Sequence, residues 1–227
     1  LFVFKCSPGT LPEGLDTAQR WPPAHPVALF GALMGPGPLR QYRCHAALVA
    51  SAGPSCGTPL CSDGASALAK LAPFPGAVLW DIGSGSGAVA VDFLRNAPRG
   101  IAYAIDRNQT QLDRGNANAV THGVTGFKPI CGDAAEQIAS LPRPDAVFIG
   151  GGMSEQVISA AQVALRPGGC LVAHAVTIES ESVMVAAWQC AGGDLVRLSV
   201  QHADPVGGFH GWRPLMPVTQ WCWHKQD

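Results

Sequence analysis

VLWDIGSGSGAVAVDFLR, residues 78–95, carries three signals in a fixed order. A short apolar run ends in Asp81. A glycine loop follows, Gly83-Ser84-Gly85-Ser86-Gly87, and then an apolar stretch with helical spacing. The order predicts a strand, a tight turn and a helix whose N-terminus faces a ligand. Glycines admit backbone angles closed to other residues and let a ligand lie against bare main chain. The unpaired N–H groups of the first helical turn favour a polar or anionic group. The segment therefore predicts a site for a nucleotide-like cofactor.

Strands and helices alternate outward from this segment. Strands are expected at 78–82, 101–105, 128–131, 146–149 and 170–176. Helices are expected between and after them at 88–95, 109–121, 134–140, 155–165 and 179–190. The run at 146–149 is continuously apolar, as in buried parallel strands. Residues 195–202 and 218–224 also read as strands, with a Gly/Pro-rich loop and no helix between them. Five βα units followed by two strands predict an α/β fold. The sheet is expected to have seven strands, mostly parallel with an antiparallel last strand, and helices on both faces.

The chain has 227 residues, is 47% hydrophobic and 14% charged, and has a net charge of -1, so a large core is expected and a general nucleic-acid binder is not. No apolar run is long enough to predict a membrane span. Residues 1–66 are rich in Pro and Gly and read as a linker or irregular lead-in, with regular segments expected only at 27–34 and 46–50. Residues 67–227 read as the catalytic domain. The first residue is Leu1 and no signal peptide is evident, so a fragment of a longer cytoplasmic protein is expected. The eight cysteines are then expected as reduced thiols. Cys44-His45 and Cys56 with Cys61 fit no common zinc spacing, and no metal site is expected.

The glycine loop can be parsed in two ways. Gly83-x-Gly85-x-x-Ala88 fits the dinucleotide fingerprint of a dehydrogenase. Asp81-x-Gly83-x-Gly85-x-Gly87 fits the S-adenosylmethionine (SAM) loop of class I methyltransferases. Asp81 favours the second, because an acid suits a positively charged methionine end and would repel phosphates. Asp106 closes the second strand, where it can accept from ribose hydroxyls or cap the next helix. Gly132-Asp133-Ala134 follows the third strand; Asp133 can cap a helix, accept from an adenine amine, or do both. Gly150-Gly151-Gly152 follows the fourth strand and offers no side chain to hold an amine. That absence leaves room for a large, flat acceptor.

Five stretches together carry a family resemblance: LAPFPGAVLWDIGSGSGAVAVDFLR, AIDRN, FIGGG, LRPGGCLVAHAVTIESE and PVGGFHGWRPLMPVTQWCW. They resemble the C-terminal domain of precorrin-6Y C5,15-methyltransferases (decarboxylating), which is similar to the stand-alone cobalt-precorrin carbon-15 methyltransferases. The resemblance runs over residues 71–225, about two thirds of the chain. It implies a class I SAM-dependent methyltransferase fold and SAM as cofactor. It also implies methylation of carbon 15 of a precorrin, with loss of carbon dioxide from the ring C acetate, in cobalamin biosynthesis. The implied partners are an N-terminal domain that methylates carbon 5 and further copies of the chain in a homo-oligomer.

The cofactor contacts so implied are Asp81, Gly83, Ser84, Gly85, Ser86, Gly87, Asp106, Asp133, Ala134 and Gly150. A polycarboxylate substrate calls for Arg, His and N–H donors. The candidates are His174, Thr177, Glu179 and Arg213, with His210 nearby. Each has a plainer reading: a core histidine, a first-turn charge, a surface ion pair. Trp221 and Trp223 share a strand face and read as core; Trp212 reads as core or as a stacking surface. The lead-in departs from the family, whose members enter the domain through a Pro-x-Thr-Lys motif. Here Thr58-Pro59 is the nearest match. Two other readings stay open: a methyltransferase of another small molecule, and an inactive SAM-binding module.

Overall fold

The computed structural model describes residues 62–226. The lead-in segments at 27–34 and 46–50, and Cys44, His45, Cys56, Thr58 and Cys61, lie outside them. Regular structure starts with helix α1 (Ser62–Leu71), which spans the 66/67 boundary read from composition. Ala67, Leu68 and Leu71 fall on one face of it and are buried.

Strand β1 (Val78–Ile82) leads through the glycine loop into α2 (Ala88–Asn96). Then come β2 (Ile101–Asp106), α3 (Gln109–Thr121) and β3 (Phe127–Cys131). Pro129 is tolerated in β3 because that strand is an edge. The helix expected at 134–140 is one α-turn, α4 (Ala134–Gln137), that tightens into a 3-10 turn at Ile138–Ser140. Next are β4 (Ala146–Ile149), α5 (Glu155–Ala164), β5 (Cys170–Ala175) and α6 (Ile178–Ala191).

The C-terminal part differs from expectation in one respect. Strand β6 stops at Leu198 (Asp194–Leu198), and the expected loop is a β-hairpin, β7 (Gln201–Val206) with β8 (Phe209–Pro214). Gly207, at φ 59, makes the tight turn between them. The hairpin is a separate two-stranded sheet, and its side chains are mostly exposed, so no buried alternation announces it. Strand β9 (Val218–His224) then returns to the main sheet.

The sheet order is β3-β2-β1-β4-β5-β9-β6. β1 to β5 are parallel, and β9 lies antiparallel between β5 and β6. Side chains alternate between two cores. Leu79, Ala104, Phe148 and Val172 face one layer with α1 and α2, while Trp80, Ile82, Ile149 and Trp221 face the other with α5 and α6. The expected mostly parallel sheet, covered by helices on both faces, is therefore present. Strand order reverses between β1 and β4, which opens a crevice at their C-terminal ends. Among the described residues, no helix is long and apolar enough to cross a membrane.

Candidate functional site

A cavity of about 540 Å³ opens at that switch point. Gly83, Asp106, Asp133 and Ala134 line it, joined by Gly151 of the glycine turn after β4 and by Arg107, to which the motif reading gave no role. The size and the mixed polar and apolar lining suit a small organic ligand.

Beneath the cavity, Asp81 is 1% exposed. Its Oδ2 accepts the Ser84 hydroxyl at 2.9 Å and the Ala90 N–H at 3.2 Å. Gly87 is the N-cap of α2 and has no side chain to serve it. Asp81 therefore satisfies an N–H of the first turn from the neighbouring strand. Among the described residues, Asp81 Oδ1 is buried without a hydrogen-bond donor. Burial pushes the carboxyl up to about 7, against the Ser84 and Ala90 hydrogen bonds, with Asp106 adding a like charge.

A pH dependence follows from this group. Native Asp81 keeps its proton between about pH 4 and pH 7, where the unfolded chain has lost it. Its contribution to stability is full below about pH 4 and is lost as pH rises to about 7. Asp81→Asn is expected to flatten this slope, by at most about 4 kcal/mol. Denaturant midpoints measured from pH 4 to 8 check it; an unchanged slope in the variant refutes the assignment.

Asp106 ties the site together. Its Oδ2 accepts the Gly85 N–H at 2.8 Å and its Oδ1 accepts the Asn108 N–H at 2.8 Å. The helix cap that the sequence offered to Asp106 belongs to Asn108, whose side chain accepts from Thr110 and Gln111. Asp133 caps α4 through the Ala135 N–H at 2.9 Å and pairs with Arg107. The Arg107 guanidinium holds its carboxyl below the usual range.

The rest of the glycine loop is packed from below. Gly83 sits so close to the turn after β4 that an added Cβ would lie 2.4 Å from Gly151 N. The Ser86 carbonyl accepts from the Asn118 amide at 3.0 Å, and Gly87 lies against the Phe127 ring. Gly150 donates its N–H to the Ile82 carbonyl at 2.8 Å.

The four candidate catalytic residues do not line this cavity. They sit on elements at the same sheet edge, beyond β4. His174 Nε2 is 2.9 Å from Gln220 Oε1, and its ring meets Phe148 edge-on at 5.1 Å. Thr177 caps α6 by accepting the Ser180 N–H at 3.2 Å. Glu179 is exposed in the first turn of α6, where its charge favours the helix. Arg213 stands on the hairpin with its Nε 2.6 Å from Asp204 Oδ2. Trp212 is 72% exposed, which removes its reading as core, while Trp221 is fully buried. A network that the sequence does not announce joins Glu181, Arg197 and Thr219. It depends on the β6–β9 register, which pairs Arg197 with Thr219.

Residues 63–225 match the precorrin methyltransferase domain family. The chain is 45% identical over 159 residues to "Precorrin-6Y C(5,15)-methyltransferase [decarboxylating]" of a Sinorhizobium species, covering 70% of this chain and 38% of that protein. The corresponding Mycobacterium tuberculosis protein is 43% identical, and 40% of it is covered. The chain thus spans about two fifths of the length of these relatives. The crystal structure of the C-terminal domain of precorrin-6Y C5,15-methyltransferase from Rhodobacter capsulatus superposes with a TM-score of 0.67 at 36% identity, over 72% of this chain and 88% of that one. A SAM-dependent O-methyltransferase from Thermotoga maritima, 18% identical with a TM-score of 0.60, shares the fold alone. The architecture is that of the SAM-dependent methyltransferases, and the chain belongs to the precorrin methyltransferase domain family.

Proposed function

We propose that this domain uses SAM to methylate carbon 15 of a precorrin and releases carbon dioxide from its ring C acetate. The observation that carries the reading is the switch-point cavity with Asp106 on its wall, in a chain of this family. The residues fit the cofactor. Asp106 keeps acceptor capacity on both oxygens for a diol. Asp133 and Ala134 border the space for a base. The partnerless Asp81 oxygen suits a cationic end of the ligand. SAM, when bound, supplies an electrophilic methyl group.

The remaining work belongs to the chain itself. The glycine loop and the Gly150–Gly152 turn offer main chain rather than side chains, so a flat macrocycle can approach closely. Methylation of a carbon depends chiefly on holding it in line with the methyl group. When the acetate loses carbon dioxide, its electron pair passes into the conjugated ring, so the protein's task is orientation. Arg213 keeps its terminal amines for a substrate carboxylate while Asp204 holds its Nε. His174, held by Gln220, and Thr177 and Glu179 stand on the same rim as further candidates. An N-terminal carbon-5 methylating domain fits the coverage of the longer relatives. A homo-oligomer fits the apolar side chains that the hairpin exposes, Val206, Phe209 and Trp212.

Calorimetric titration with S-adenosylhomocysteine, with NAD as control, tests the cofactor. Binding of the former alone is expected, followed by methyl transfer to a precorrin acceptor. NAD binding, or no binding of either, refutes the reading. Asp106→Ala is expected to weaken S-adenosylhomocysteine by about 1.5–3 kcal/mol, the usual loss for hydrogen bonds to a charged group. Unchanged affinity in that variant removes Asp106 from the site.

A further inference from the structure

A cluster of metal-ligating side chains lies at the opposite edge of the sheet. Cys170 opens β5 and His224 closes β9, directly across from it. Cys222, two residues before His224, shares their face. Cys170 Sγ and Cys222 Sγ are 3.6 Å apart, and Cys222 Sγ and His224 Nε2 are 3.6 Å apart. All three ligand atoms lie within 4.8 Å of one another. Tetrahedral zinc, with bonds of about 2.3 Å to sulfur and about 2.0 Å to nitrogen, places S···S about 3.8 Å and S···N about 3.6 Å apart. Two of the three pairs already have nearly that spacing, and the third lies within 4.8 Å.

The backbone around it is fixed. Gly168 donates its N–H to the Lys225 carbonyl and Lys225 donates its own to Gly169, both at 3.0 Å. Both thiols are buried, and His224 reaches the surface, so an ion has an approach. Lys70, the nearby cation, is engaged with Asp194 at 2.8 Å.

We infer that Cys170, Cys222 and His224 form a site for one thiophilic divalent cation, of which Zn²⁺ is the type, that staples β5 to β9. The ion takes both sulfurs as thiolates and the Nε2 lone pair of His224; the two thiol protons pass to solvent, and water completes the tetrahedron. The three side chains are already held together on one face of the β5–β9 pair, so the ion needs no rearrangement of the backbone.

The test uses the whole chain, reduced and stripped of metal. Zn²⁺ is titrated against a chromophoric chelator, and Co²⁺ is added separately as a spectroscopic probe. One equivalent of Zn²⁺ is expected to bind tightly. Cobalt is expected to give thiolate charge-transfer and tetrahedral d–d bands. Six other cysteines are present, so the variants decide where the ion sits. Cys222→Ser and His224→Asn are each expected to lower affinity at least about 100-fold, since even residues that only support a metal ligand cost up to that much. Near-ultraviolet circular dichroism of His224→Asn, a change at an exposed site, is expected to match the parent and show an intact fold. Failure of the parent to take up Zn²⁺, or equal uptake by both variants, overturns the site. A Cys170–Cys222 disulfide in the isolated protein, with no uptake after reduction, overturns it as well.

Discussion

Replacing Gly83 with valine is expected to abolish S-adenosylhomocysteine binding and to lower stability by about 2–5 kcal/mol. Two independent costs add at this position. Gly83 has φ 68, a left-handed conformation that a β-branched residue resists. Its Cβ would also lie 2.4 Å from Gly151 N, a backbone atom that cannot rotate away. The turns after β1 and β4 would have to part, and both line the cavity. Titration of the variant, paired with a denaturant melt, checks both effects. Binding retained within tenfold would show that the close approach of the two turns is dispensable.

Trp221→Ala is expected to cost about 3–5 kcal/mol, enough to leave the domain marginal at physiological temperature. The indole is fully buried against the second core, and its N–H donates to the Gly192 carbonyl at 2.8 Å. Truncation leaves a large cavity and strips that carbonyl of its donor. Trp221→Phe keeps much of the volume and is expected to recover roughly half of the loss. Thermal unfolding of the three proteins measures the series. A loss under about 1 kcal/mol for the alanine variant would contradict the packing described.

The two residues mark how far the sequence could be read. The parallel strands and their helices were legible because each apolar run is bounded by Gly, Pro or Asp at the expected spacing. Trp221 was legible as core because it shares a strand face with Trp223 in β9. The ranking of the loop glycines was not legible. Motif spacing makes Gly83 and Gly85 equivalents. Yet a Cβ on Gly85 meets nothing within 4 Å, while one on Gly83 strikes another loop some 68 residues away. The hairpin escaped because its side chains face solvent, so burial imposes no period on them. The Cys170, Cys222 and His224 cluster escaped because cysteine spacing along the chain carries no trace of strand register. Cys222-x-His224 puts two ligands on one strand face, but the third is supplied by pairing across 52 residues. Arg107 was visible in AIDRN, yet nothing in that run places it opposite Asp133.

The position of β9 has a consequence for how the chain is made. β9 follows both β5 and β6 in the chain, yet lies between them in the sheet. Until it emerges from the ribosome, those strands carry unpaired edges and the space for Trp221 stands empty. The nascent domain thus holds an open seam from the completion of β5 until β9 is made. Closing that seam is the step at which a chaperone, or a neighbouring chain in the same state, competes with correct folding.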